Sequence, residues 1–257
     1  MAAFTYDVTD KRSVNSLVGR VYGYMFIGLL LTAAIAFGIG MLFNLMIFGT
    51  LNTANIDYSD INTNLSAAGA TALLATLIIS GIGVIAMSIV VNIVFVRGRH
   101  SVLVPALIYC ILMGLLLSSL VVFVPWEILG ITFAITAGMF GIMFLISYLS
   151  KGSLNFLGVA GMGLFIGAML LSLIGWIFML TGALGAYLHL YWIVSLLSFA
   201  AMMLITIWDM WRIKVMAENG SMNDNLALYC AFMLYVDFIY LFMRVLRFVL
   251  YFANRRN

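Results

Sequence analysis

Seven apolar stretches follow one another along the chain, separated by short polar connections. A helix that crosses the hydrocarbon core of a bilayer needs about 20 predominantly apolar residues. By that measure spans are predicted at 21–43, 70–96, 102–125, 128–149, 155–180, 188–210 and 226–250. The expected fold class is an all-α integral membrane protein of seven transmembrane helices. Residues 1–20 form a polar N-terminal tail, 21–252 the transmembrane domain, and 253–257 a short basic end. The opening "MAAFTYDVTDKRSVNSLVGR" is mixed in charge, and the apolar run after it is too long for the core of a cleavable signal, so none is expected.

Prolines are few. The two prolines, Pro105 and Pro125, lie near the ends of the third span, so broken helices of the transporter kind are not indicated. The fifth span carries "GVAGMGLFIG", in which Gly163 and Gly167 form a GxxxG that would let a neighbouring helix approach closely.

Composition strengthens this picture. The chain is 65% hydrophobic and 8% charged, with a mean hydropathy of +1.19, against about a quarter charged in soluble domains. That leaves no room for a separate soluble domain. The net charge of +3 sits in connections and ends, where it speaks to membrane topology and not to nucleic acid. Cys110 and Cys230 lie far apart in apolar stretches and read as small buried hydrophobes. His100 and His189 read as interfacial. No metal-ligand cluster, catalytic constellation or cofactor motif is present in the sequence, so neither a metal site, a cofactor nor an enzyme is expected.

Loop charges give an orientation. Lys11, Arg12 and Arg20 precede the first span, whereas Asp57 and Asp60 follow it without any basic residue. Arg97 and Arg99 occupy the next connection, Glu127 the one after, then Lys151, then the uncharged "TGALGAY", then Arg212 and Lys214. Basic residues fall on every second connection, which predicts a cytoplasmic N-terminus. Seven crossings then place "NRRN", with Arg255 and Arg256, on the opposite side, against the rule. Either the last span is a full crossing imposed by the earlier ones, or it is re-entrant. Asn64-Leu65-Ser66 is a glycosylation sequon relevant only in a eukaryote; the expected location is a bacterial inner membrane.

One charge does not fit its surroundings. Between Leu226 and Met243, Asp237 is the only charged residue. A charge at the bilayer centre costs about 2.5–3.5 kcal/mol on insertion scales, so this carboxylate is expected to face protein or a watery cavity. Its helix face offers Met233, Tyr240 and Arg244, the last a candidate counter-ion two turns away.

The order and spacing of several segments resemble the transmembrane Bax inhibitor motif family, which includes Bax inhibitor itself and bacterial relatives. "RVYGYMFIGLLLTAAIAF" is similar to that family's first span, "ITFAITAGMFGIMFLISYLSKGSLNFLG" to its fourth span and fifth-span entry, "TIWDMWRI" to the end of the sixth, and "LYVDFIYLFMRVLRF" to the seventh. The resemblance covers nearly the whole chain. It implies a central seventh helix surrounded by the other six, and it implies a partner for Asp237. Asp209, at the end of the sixth span, matches the second member of the family's aspartate pair, which shares a proton and senses pH. Two such carboxylates titrate as one unit whose macroscopic constants belong to neither residue. The plainer alternative leaves each aspartate bonded to a neighbouring hydroxyl or backbone group.

The sequence also departs from the family. Calcium-leak members carry a span-two glutamate that pairs with an arginine ten residues after the seventh-span aspartate. That arginine is present as Arg247, but "TALLATLIISGIGVIAMSIVVNIVFV" has no acidic residue, and "KGSL" has Ser153 where an acid is frequent. Arg247 is therefore expected to reach the membrane interface without an acidic partner in the second span. An intramembrane aspartyl protease is excluded on motif grounds: "LYV" precedes Asp237 in place of GxG, and no proline follows Pro125. Two non-enzymatic functions are expected from the resemblance. One is a pH-sensitive leak for calcium or another cation, gated by Asp209 and Asp237. The other is a non-conducting modulator that restrains a membrane-anchored ATP-dependent protease through its N-terminal tail.

Overall fold

The computed structural model describes residues 11–48, 67–98, 101–181, 184–219 and 223–254. Asp57, Asp60, the Asn64 sequon, Arg99, His100 and the terminal arginines Arg255 and Arg256 lie outside these residues, as do the side chains of Lys11, Arg12 and His189. The described residues form seven helices: α1 (Lys11–Phe48), α2 (Ala67–Arg97), α3 (Leu103–Phe123), α4 (Trp126–Leu149), α5 (Asn155–Leu180), α6 (Leu184–Glu218) and α7 (Asp224–Asn254). All seven are long and apolar enough to cross a membrane.

Helix ends reach beyond the apolar runs, because a charged residue ends a hydrophobic run without ending a helix. α1 begins at Lys11, inside the segment read as a tail. α6 continues past Asp209 through "MWRIKVMAE", a stretch with no glycine or proline to interrupt its hydrogen bonds. Where breakers or caps occur, they act. Gly98, at φ +62°, ends α2 in the left-handed conformation that a side chain disfavours. At the start of α7, Asn223 accepts from the Leu226 amide at 2.7 Å, an N-cap bond. α7 then runs without a break for 31 residues, so the last span carries none of the interruption that a re-entrant segment requires.

Two compact units divide the chain, one comprising Met1–Val18, Thr132–Ser221 and Val236–Asn257, the other Gly19–Ile131 and Met222–Tyr235. In the second unit, glycines set close approaches. A Cβ on Gly40 would stand 2.6 Å from Val121, and one on Gly114 would stand 2.8 Å from Ile35, so α1 and α3 pack backbone to side chain. This proximity solves a problem created by Pro125. The Val121 carbonyl would accept the amide of residue 125 in a regular helix, and proline has none. Instead Asn44 of α1 donates its Nδ2 to that oxygen at 3.4 Å. Two polar residues of α2 need no such neighbour: Ser80 donates to the Thr76 carbonyl at 2.6 Å and Thr76 to the Ala72 carbonyl at 2.9 Å, closing within their own helix.

In the first unit α5 lies along α6. The glycines that permit this are Gly158 and Gly161, whose Cβ atoms would meet the Trp208 ring at 2.6 Å and Ile205 at 2.8 Å. Gly163 and Gly167, the pair singled out by the sequence pattern, have nothing within 4 Å. The GxxxG spacing identified the right helix and the wrong face, because a glycine every fourth residue marks a smooth stripe without saying where a partner lies.

Candidate functional site

The site is built from α6 and the second half of α7. On α6, Thr206, Asp209, Met210, Ile213 and Ala217 are all buried, a spacing of three and four residues that defines one helix face. Asp237 belongs to a helix with no free face: from Asn225 to Leu246 no residue of α7 is exposed, and Arg247 is the first that is. An apolar helix buried on all sides has to carry any polar group into the protein interior. Asp237 lies thirteen residues from the first residue of α7, about 20 Å at 1.5 Å per residue, and hence deep within a bilayer about 30 Å thick.

Both carboxylates are 6% exposed, and they lie close enough for the charge of Asp209 to act on Asp237. Among the described residues no ion pair holds either of them. The Thr206 hydroxyl neighbours the Asp237 carboxyl. Its oxygen also lies 2.8 Å from the Met202 carbonyl of the preceding turn, so its single proton is shared between that carbonyl and the carboxyl. Asp237 Oδ2 is buried and, among the described residues, has no hydrogen-bond partner. A buried, unpartnered carboxylate oxygen is expensive, and carrying a proton removes most of that expense. The next residue on α7, Phe238, packs against Phe140 at 5.4 Å and Phe133 at 5.6 Å of α4. Nearer the end of α6, the charge of Arg212 acts on Asp209 while its guanidinium lies over the Trp208 ring at 5.4 Å.

The four site residues expected from the sequence thus separate. Asp209 and Asp237 come together. Arg244 turns away from them: it donates to Tyr240 Oη at 2.9 Å and to Ser195 Oγ at 3.2 Å. Seven residues is about 10 Å along a helix, and a tyrosine one turn away offers a nearer acceptor, so Arg244 is not positioned as the counter-ion of Asp237. Arg247 is exposed and lines a groove with Trp192, Ser195 and Tyr251.

Sequence reasoning missed a second buried polar cluster, in the other unit. Thr32 of α1 and Tyr235 of α7 share a hydrogen bond of 2.7 Å between their hydroxyls, and Thr32 Oγ1 also lies 3.2 Å from the Cys110 carbonyl of α3. The Cys110 thiol joins the same cluster. A Cβ on Gly28 would make ordinary contacts with Cys110 Sγ and the Tyr235 ring at 3.4 Å, so this part of α1 lies directly against the cluster. The only signal in the sequence was a threonine within an otherwise apolar run.

A family model, inhibitor of apoptosis-promoting Bax1, matches residues 14–257. The inner membrane protein YbhL of Escherichia coli is 30% identical over 254 residues, covering 97% of this chain and 96% of that protein. An uncharacterized protein of Borreliella burgdorferi is 27% identical over 248 residues, 95% of this chain and 94% of its own. The uncharacterized protein RP147 of Rickettsia prowazekii is 32% identical over 154 residues, 58% of this chain and 61% of its own. No solved structure matches.

Proposed function

The chain belongs to the Bax inhibitor family, as a multi-pass integral membrane protein, and on that premise we propose that it is a pH-sensitive cation leak, with calcium the first candidate ion. Asp209 and Asp237 form its gate. The observation that carries this reading is the buried, unpartnered Asp237 Oδ2 beside a second buried carboxylate, with no cation bonded to either among the described residues. With one proton between them the two acids coexist at small cost. Loss of that proton leaves two like charges in a medium of low dielectric, where their repulsion is large, and pushes α6 away from α7. Flux accordingly rises as the pair loses its proton.

In this proposal α7 is the central helix. Its support is burial: 56% of the α7 core window is buried, against 11–39% for the other six. The N-terminus and the connections at Arg97, Lys151 and Arg212 face the cytoplasm of a bacterium, supported by the alternation of basic connections.

Ion flux into proteoliposomes across the neutral pH range tests the function. Wild-type protein gives a pH-dependent flux. Asp237→Asn, which keeps size and hydrogen bonding but cannot ionise, gives a folded protein whose flux no longer responds to pH. A wild-type flux indistinguishable from empty vesicles at every pH overturns the leak. It would leave the modulator reading, in which deleting the N-terminal tail abolishes restraint of a membrane protease.

A further inference from the structure

A second site lies toward the C-terminal end of α7, away from the aspartates. Trp192 of α6 packs against Tyr251 at 4.3 Å and Phe248 at 6.2 Å of α7. These three residues form a ridge with a groove on either side. One groove is wholly apolar and aromatic, with Leu196, Phe199 and Phe252 completing its wall. The other carries Arg247 and Ser195. Among the described residues, no carboxylate lines either groove.

The polar atoms of that second groove suit an anion. Arg247 is exposed and, among the described residues, makes no ion pair. Ser195 is 4% exposed, and its oxygen already accepts from Arg244 Nη1 at 3.2 Å, which leaves the hydroxyl proton free to be donated. The site therefore presents a guanidinium and a hydroxyl donor, backed by a second guanidinium, with no negative charge to balance them. Depth matters as well. Arg247 precedes the last residue of α7 by seven positions, about 10 Å. A 31-residue helix is about 46 Å long, and centred on a core about 30 Å thick it extends about 8 Å beyond each face. Arg247 thus stands at the boundary between hydrocarbon and headgroups, where its stem lies along the aromatic wall and its charge reaches outward.

We propose that this is a binding site for an anionic phospholipid, whose phosphate is held by Arg247 and Ser195 and whose acyl chains lie in the grooves beside the Trp192 ridge. An ordinary interfacial belt of Trp and Tyr is indifferent to headgroup charge. Two arginines without a carboxylate are not, because a guanidinium meets phosphate through paired, charge-assisted hydrogen bonds.

The test uses the purified full-length protein and native mass spectrometry, with phosphatidylglycerol and phosphatidylcholine of identical acyl chains. The wild type is expected to bind phosphatidylglycerol about tenfold more tightly, equivalent to about 1.4 kcal/mol. Arg247→Gln should erase that preference, and Lys151→Gln, which removes an exposed cation elsewhere, should retain it. Free glycerol phosphate should not displace the lipid. Equal binding of the two lipids by the wild type overturns the proposal. So does a preference that survives Arg247→Gln, or displacement by glycerol phosphate as effective as by the lipid, which would mark a simple phosphate site. Should Arg247→Gln fail to fold, Ser195→Ala serves in its place and must weaken the preference at least severalfold; an unchanged preference overturns the assignment.

Discussion

The two halves of α7 each carry one buried polar residue toward the middle of the membrane, and they do so in opposite ways. In one unit Tyr235 meets Thr32 at 2.7 Å, and the cluster closes on itself, hydroxyl to hydroxyl to backbone carbonyl. In the other, Asp237 meets Asp209 and the Thr206 hydroxyl, and one oxygen finds no partner among the described residues. Hydroxyls are donor and acceptor at once, so two of them satisfy each other at any pH. Carboxylates cannot do so unless a proton is present. The comparison separates a permanent stitch from a conditional one, although the two residues stand only two positions apart in the chain.

The sharpest way to break that distinction is to remove ionisation. Asp237→Asn and Asp209→Asn should each abolish the pH response of flux, and the double variant should behave like either single one, because the pair titrates as a unit. Independent, additive shifts of the pH profile would show that the acids are not coupled. A smaller effect is expected from the glycines beneath the two clusters. Gly158→Ala places a methyl 2.6 Å from Trp208, the neighbour of Asp209, and should destabilise the protein by about 1–3 kcal/mol. Gly28→Ala meets only ordinary contacts at 3.4 Å and should be nearly neutral; thermal unfolding in detergent measures both. If Gly28→Ala proved the more damaging, the tightly packed cluster would be the neutral one. Tyr235→Phe removes the bond to Thr32 and should lower stability by about 1 kcal/mol while leaving the pH response intact. A lost response would place Tyr235 in the gate. Least of all, Arg247→Ala should change flux and stability only mildly, within about 0.5 kcal/mol. A large loss of folded protein would reveal a buried partner for it.

Hydropathy made the seven helices legible, because length and apolarity are all that a crossing demands. It stopped short of the ends of α1 and α6, since Lys11, Arg212, Lys214 and Glu218 are charged and still helical. It also offered no way to choose between the Gly163–Gly167 stripe and the Gly158–Gly161 face, as both are smooth and only the position of Trp208 and Ile205 distinguishes them. For the candidate site, Asp237 announced itself as a lone charge in an apolar run, whereas Asp209 next to a basic connection did not; only the family resemblance joined the two. Helix spacing suggested Arg244 as a counter-ion, and the structure directs it to Tyr240 and Ser195, because spacing along a helix says nothing about which acceptor is nearest. The Thr32–Tyr235 cluster was illegible for a related reason. A threonine in a membrane helix usually bonds its own backbone, as Thr76 does, and nothing local tells the two behaviours apart.

The burial of α7 also bears on how the protein is made. This helix has the lowest hydropathy of the seven, 1.9, and it leaves the ribosome after the other six. Until it is inserted, Thr32 has no Tyr235 and Asp209 has no Asp237. A chain that stops short of Asp224 would offer the membrane a set of helices with polar faces and nothing to cover them, a form that quality-control proteases are well suited to remove. Insertion of α7 thus completes both clusters, and its thirty-one residues decide whether the helices before it are kept.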